Sequence, residues 1–370
     1  MNLSYWEYKT WLSNIDFAII GSGIVGLNCA LRLKHAHPKS KIVVLERGVL
    51  PQGASTKNAG FACFGSISEI LADLQAHSDE QVFRLVRQRW KGIQLLRSIL
   101  GDRQIGFQQN GGYELFLEEQ TALYENCLDH MAKINALLKP IFGAKPFSLN
   151  ANSLNFKKIK ESYIAHSFEG QLDTGKMMMA LLQLAQQKGI IVLNSITVND
   201  FVENQGSVSL QTNAFECDSQ KLFIATNGFA SQLLNENVRP ARSQVVITKP
   251  IQNLEIKGTF HLDEGYYYFR NIDNRILLGG GRNLDIEGEE TFFFGQTELI
   301  QNRLEELLEQ VILPNTTFEV DQRWSGIMGV GKEKRPIVKQ VSKNVYGAVR
   351  LGGMGIAIGS LVGKELADLV

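Results

Sequence analysis

The stretch IGSGIVG, Ile20 to Gly26, follows the apolar run DFAI and opens a segment with helical spacing through Ile24, Leu27, Leu31 and Leu33. A second apolar run, KIVVLE, comes next, so the opening reads as strand, glycine turn, helix, strand. Parallel strands need such a helical crossover, which predicts a βαβ unit at the head of an α/β fold. Within the turn, Gly21 permits the tight bend, Gly23 lets the backbone approach a pyrophosphate, and Gly26 lets helix and strand pack closely. Ser22, Ile24 and Val25 complete the loop and the helix start. Glu46 ends the second strand 20 residues after Gly26 (46 − 26), where a carboxylate accepts from ribose hydroxyls, and Arg47 follows it. These features suit NAD and FAD equally.

Other segments alternate between two architectures. DEQVFRLVRQRWKGIQLLRSIL predicts an amphipathic helix with Phe83, Val86, Trp90, Ile93 and Leu96 on one stripe. IGFQQNGGYELFLEE reads as an antiparallel hairpin about an Asn-Gly-Gly turn, unlike the opening unit. Helix and strand return with TGKMMMALLQLAQQKGIIVLNSITVNDFVE and KLFIATNG. SQVVITKP, EGYYYFRN and NRILLGGG then suggest a broad antiparallel sheet. The expected division assigns residues 1–75, 155–235 and 322–370 to a discontinuous Rossmann-like nucleotide domain. Residues 76–154 and 236–321 form an inserted substrate domain on an antiparallel sheet.

Lys plus Arg (38) balances Asp plus Glu (38), which argues against nucleic acid or anionic lipid as a partner. The four cysteines are scattered without a CxxC pair, and no metal-ligand cluster stands out, so neither disulfides nor a metal is expected. No apolar run reaches the ~18 residues of a membrane span, and no signal peptide is evident; a cytoplasmic location is the expectation.

Two further glycine-rich stretches favour FAD, because a buried flavin needs holding at both its pyrophosphate and its ring. GASTKNAGF (Gly53 to Phe61) brings hydroxyls from Ser55 and Thr56, the cation Lys57, and the turn Asn58, Ala59, Gly60. LGGMGIAIGS (Leu351 to Ser360) opens a helix at Gly355, whose positive end can stabilise charge on a reduced ring. Gly353, Met354, Ile356 and Ala357 belong to that turn and first helical residues.

Here the chain resembles the FAD-dependent D-amino-acid oxidase superfamily, nearest to its glycine oxidase and sarcosine oxidase-like branch. The resemblance covers nearly the whole chain and rests on IIGSGIVG, LER, GASTKNAG, GQLDTGKMMMALLQLAQQKGI, IATNGFA, YYFRNIDNRILLGGG, RWSGIMGVGKEKRPIV and LGGMGIAIG, in the family's order. It implies further cofactor contacts from Val198, from Thr226, Asn227 and Gly228, and from Gly326. It also implies oxidation of the C–N bond of a small amine or amino acid by hydride transfer to the flavin, with oxygen or an electron carrier as final acceptor. A related dehydrogenase acting on another amine or a 2-hydroxy acid, and a tRNA-modifying module, are the alternatives.

On the substrate side the resemblance points to Tyr267 and to an arginine just after the W-x-G of RWSGIM, where this chain has Met328. A thioether cannot pair with a carboxylate as guanidinium does. Arg270 is either a replacement receptor for the anion or an ion-pair arginine. The lysine that relatives place over the flavin corresponds to Leu277, whereas Lys57 keeps a position that is basic in them. Cys63, behind the NAG turn, reads as a small buried thiol, and no covalent flavin link is assigned.

Overall fold

The computed structural model describes residues 2–370. Strands β1 (Ile15–Ile20) and β2 (Ile42–Leu45) flank the helix Ile24–Ala36. Then come β3 (Phe61–Ala62), β4 (Gly112–Leu115), β5 (Phe147–Ala151), β6 (Ser162–His166) and β7 (Gly170–Gln171). β8 (Ile191–Leu193), β9 (Val198–Glu203), β10 (Val208–Thr212) and β11 (Glu216–Ile224) follow. The remainder is β12 (Arg239–Thr248), β13 (Thr259–Leu262), β14 (Tyr267–Ile272), β15 (Arg275–Gly280), β16 (Val320–Val330), β17 (Ile337–Gln340) and β18 (Val345–Val349).

The first large sheet has the order β17-β18-β11-β1-β2-β8, with β10 and β9 extending from β11. Its centre, from β8 to β18, is parallel. Such strands are covered on both faces, which is why β1 and β2 are nearly unbroken apolar runs. The second sheet runs β16-β12-β15-β14-β13-β4-β6-β5 and is antiparallel apart from the β13–β4 ladder. The fold is therefore the expected α/β one, a Rossmann-like layer joined to an antiparallel sheet. The chain crosses between the sheets four times, after β2, β6, β11 and β16. No helix among the described residues is long and apolar enough to cross a membrane.

Three expectations need correction. The predicted hairpin at residues 105–119 does not form: Gln108 bridges Gln171, while β4 pairs with β13 and β6. Register with distant strands outweighs the local Asn-Gly-Gly signal there. Two expected boundaries also move, since β6 and the whole of β16 hydrogen-bond into the second sheet although residues 155–235 and 322–370 were assigned to the first domain. Finally, the helix Asp79–Leu100, assigned to the insert, packs on the C-terminal helix Gly355–Ala367 of the first layer. Its capping box joins Ser78 and Gln81, and its buried stripe runs through Val82, Val86, Arg89, Ile93 and Leu96, with Phe83 and Trp90 at the margin. Gly92 makes the approach possible, for a Cβ there would lie 2.1 Å from the Ala357 carbonyl oxygen.

Candidate functional site

A cavity of about 640 Å3 occupies the seam between the two sheets. Its first-layer end is built from the helix start after β1, the carboxyl end of β2, the loop after β11 and the start of the C-terminal helix. Gly21, Gly23, Ile24, Val25, Glu46, Arg47, Ser55, Lys57, Asn58 and Ala59 line it, as do Val198, Thr226, Asn227, Gly228, Gly326, Met328, Gly353, Met354, Gly355 and Ile356. The sequence motifs, far apart in the chain, thus converge. Two helix N-termini open on one space, each presenting amides without intrahelical acceptors and the positive end of a helix dipole.

Local bonding shapes this end. Glu46 is buried and accepts from the Ser22 amide (3.0 Å), the Ser22 hydroxyl (2.8 Å) and the Gly48 amide (3.0 Å). One carboxylate therefore fixes the glycine turn while still facing the cavity. The Ser55 hydroxyl accepts from the Ile24 amide at 2.9 Å, joining the second glycine-rich loop to the helix start. Arg47 lies flat on the Phe229 ring, 3.5 Å from its centroid, and the Lys57 ammonium sits 4.9 Å from the Phe294 centroid. The Trp324 indole N–H donates to the Lys57 carbonyl at 2.9 Å and ties the second sheet to the loop.

Seven expected residues do not line the cavity. Ser22 is fully buried behind Glu46, and Gly26 serves packing, because a Cβ there would come within 1.9 Å of the Gly21 carbonyl oxygen. Thr56 caps its own turn by donating to the Pro51 and Gly53 carbonyls. Gly60 lies beneath Leu172 and Arg270, and Ala357 packs against Gly92. Tyr267 points to the opposite face of the second sheet, into an apolar core with a separate pocket that Arg303 shares. Alternation along the strand places Tyr268, not Tyr267, at the cavity. Arg270 shares the Tyr268 side but is buried behind the NAG turn, its guanidinium 3.1 Å from where a Gly60 Cβ would be. Burial pushes its pKa down to about 10 against the pull of Asp173 and Asp273, and its Nε has no hydrogen-bond partner.

The second-sheet end carries residues that sequence patterns did not reveal. His261 on β13 registers with Tyr268 on β14 and Glu114 on β4. Phe61 packs edge-on against both rings, 5.4 Å from His261 and 5.5 Å from Tyr268. The Tyr268 hydroxyl bonds to the Ser243 hydroxyl at 2.9 Å. Cys63, Glu69, Tyr266 and Arg282 complete this end. Burial drives the Cys63 thiol well above its usual pKa, so it is protonated, and its sulfur lies 3.7 Å from that of Met354. The only sequence signal for Tyr268 was the period of two in YYYFR. His261 and its partners had none, since their pairing depends on the β13–β4 ladder.

Comparison with known proteins bears on what this cavity holds. The family model described as FAD dependent oxidoreductase matches residues 16–369. The chain belongs to the FAD-dependent oxidoreductase family. A probable oxidoreductase OrdL from Haemophilus influenzae is 22% identical over 384 residues, covering 98% of this chain and 84% of that protein. Among solved structures, glycine oxidase from Geobacillus kaustophilus superposes with a TM-score of 0.78 at 19% identity, over 96% of this chain and 94% of that one. L-proline dehydrogenase from P. horikoshii gives a TM-score of 0.74 at 17% identity, over 96% and 93%.

The residues present fit FAD. The buried Thr226 hydroxyl at the cavity wall has no partner among the described residues, and a Cβ on Gly23 would fill the cradle 2.8 Å from the Ser55 oxygen. With FAD bound, Glu46 would offer acceptors for ribose hydroxyls, and the amides of the first helix would suit a pyrophosphate.

Proposed function

We propose that the protein oxidises the C–N bond of a small amine or amino acid, giving an imine that water hydrolyses. FAD, when bound, accepts the hydride. The reading is carried by the division of the cavity: a cofactor end built from two helix N-termini and Glu46, and a second-sheet end walled by Phe61, Tyr268 and Met328. At that end the hydroxyls of Tyr268 and Ser243 bond to each other, and the one thiol is held protonated. The residues thus position a substrate and shield it from water rather than attack it. The names of the structural neighbours, a glycine oxidase and an L-proline dehydrogenase, agree with a small amino compound as substrate.

Leu277 packs with Ala59 and Val245, so Lys57 alone of the two positions indicated by the resemblance brings an ammonium to the cavity. Electrons then leave to oxygen or to a carrier. The holoprotein should be yellow, and under anaerobic conditions its flavin should bleach with members of an amine and amino-acid panel. Bleaching by dithionite but by no amine refutes the proposal. Air admitted after bleaching distinguishes oxygen from a carrier by the rate of recovery.

A further inference from the structure

Three side chains near the second-sheet end offer no free donor to a substrate anion. Met328 offers only a thioether, Arg270 is buried outside the cavity, and the Tyr268 hydroxyl is engaged with Ser243. His261 is placed differently. Its Nε2 bonds to a Glu169 carboxylate oxygen at 2.9 Å, and the same oxygen accepts from the Thr259 hydroxyl at 3.2 Å. Glu169 has no exposed surface. It reaches His261 across Gly112, where a Cβ would lie 2.0 Å from that oxygen. The Phe61 ring packs at a steep angle against the imidazole, 5.4 Å between centroids. The remaining ring nitrogen, Nδ1, makes no hydrogen bond among the described residues, and His261 lines the cavity.

We propose that His261 receives the carboxylate of the substrate through Nδ1–H, with Glu169 positioning the ring. This rests on the cavity being a site of amino-compound oxidation, and it narrows the substrates to amines that carry an acid group. Glu169 from the turn after β6, Glu69 from the helix Ile67–Ala76, Glu114 from β4, His166 from β6 and Tyr268, in register on β14 with its hydroxyl pKa raised by burial, are titratable groups around the ring. Burial pulls the His261 pKa down, but the charge and hydrogen bond of Glu169, with Glu69 and Glu114, outweigh it and raise the pKa to about 9. Burial lowers His166 to about 4, so it stays neutral and does not compete as a cation.

The test titrates the FAD-loaded protein with pyrrole-2-carboxylate and with pyrrole-2-carboxamide, following the flavin absorption band. The unaltered protein should bind the acid roughly tenfold or more tightly than the amide, as one charge-assisted hydrogen bond provides. His261→Gln should remove that preference and leave amide binding within about twofold. Above about pH 9 acid binding should weaken by about tenfold per pH unit while amide binding stays level, and Glu169→Gln should move this bend to lower pH. Equal loss of both probes in His261→Gln overturns the proposal, as does a protein that binds both alike or neither. Retention of the preference in His261→Gln also overturns it, and its loss in Arg282→Met would then assign the anion to that arginine. None of these readings requires turnover. Anaerobic bleaching by amines without a preference for acids would leave C–N oxidation standing and defeat only the role of His261.

Discussion

Replacing Glu46 by alanine separates two duties of one carboxylate. In the protein it accepts two amides and one hydroxyl, from Ser22 and Gly48, at 2.8–3.0 Å, and it is 6% exposed. Each buried donor left without an acceptor costs about 1–3 kcal/mol. Water entering the space left by the side chain recovers part of this, so the apoprotein should lose roughly 3 kcal/mol, a drop of several degrees in Tm for a chain of this size. The second, proposed duty is to accept from the ribose of FAD, and its loss should weaken binding by a further ~1–3 kcal/mol, roughly 5- to 150-fold in Kd. Apoprotein titrated with FAD by fluorescence quenching, at a temperature where the variant remains folded, isolates that term. A lowered Tm with unchanged Kd would refute the ribose role and leave Glu46 as a brace for the glycine turn. Glu46→Gln, which keeps one acceptor oxygen, should fall between the two in both measurements.

Gly26→Ala should abolish soluble expression or lower Tm sharply, by more than the ~1–3 kcal/mol of ordinary overpacking, since its Cβ would sit 1.9 Å from the Gly21 oxygen; a parental melting curve would contradict this. Arg270→Met should leave Tm unchanged or raised and leave kcat/KM for acid substrates intact, because the guanidinium is buried with an unbonded Nε and lies outside the cavity. A selective loss of kcat/KM on acids would restore its expected role. Burial raises the Glu114 pKa to about 7 from 4.5, so its favourable contribution is complete below about pH 4.5 and is lost as pH rises through about 7. Glu114→Gln should therefore gain Tm relative to the parent between pH 5 and 8, and a difference that does not vary with pH would argue against a proton on Glu114. Lys57→Met should slow reoxidation by oxygen with little change in anaerobic reduction, and equal rates in stopped flow would remove the ammonium from that step.

Legibility of the site followed how local its physics is. The glycine turn, Glu46 and the start of the final helix were readable because each role depends on backbone shape and on neighbours within one supersecondary unit. The aromatic run at residues 266–268 was harder. Three adjacent tyrosines cannot all face one side of a strand, and the resemblance selected Tyr267 where the pleat turns Tyr268 to the cavity. Arg270 shares the Tyr268 side yet is stopped by the Gly60 turn, a contact between segments more than 200 residues apart in the chain. His261 and Glu169 meet only because a parallel ladder brings β4 beside β13 and Gly112 leaves room between them. The boundary errors have the same origin, since an isolated run such as residues 162–166 carries no mark of the sheet it will join.

The four crossings between the sheets have a consequence for how the molecule can be taken apart. Neither layer corresponds to a stretch of gene that could be expressed alone, because the strands of each are interrupted in the chain by strands of the other. A dinucleotide held in the cavity would lie along the seam that those crossings stitch, between residues of both sheets. It should therefore act as a rivet as well as a reagent: nicking by protease in the presence of FAD should leave fragments that stay together, and stripping the cofactor should let them part.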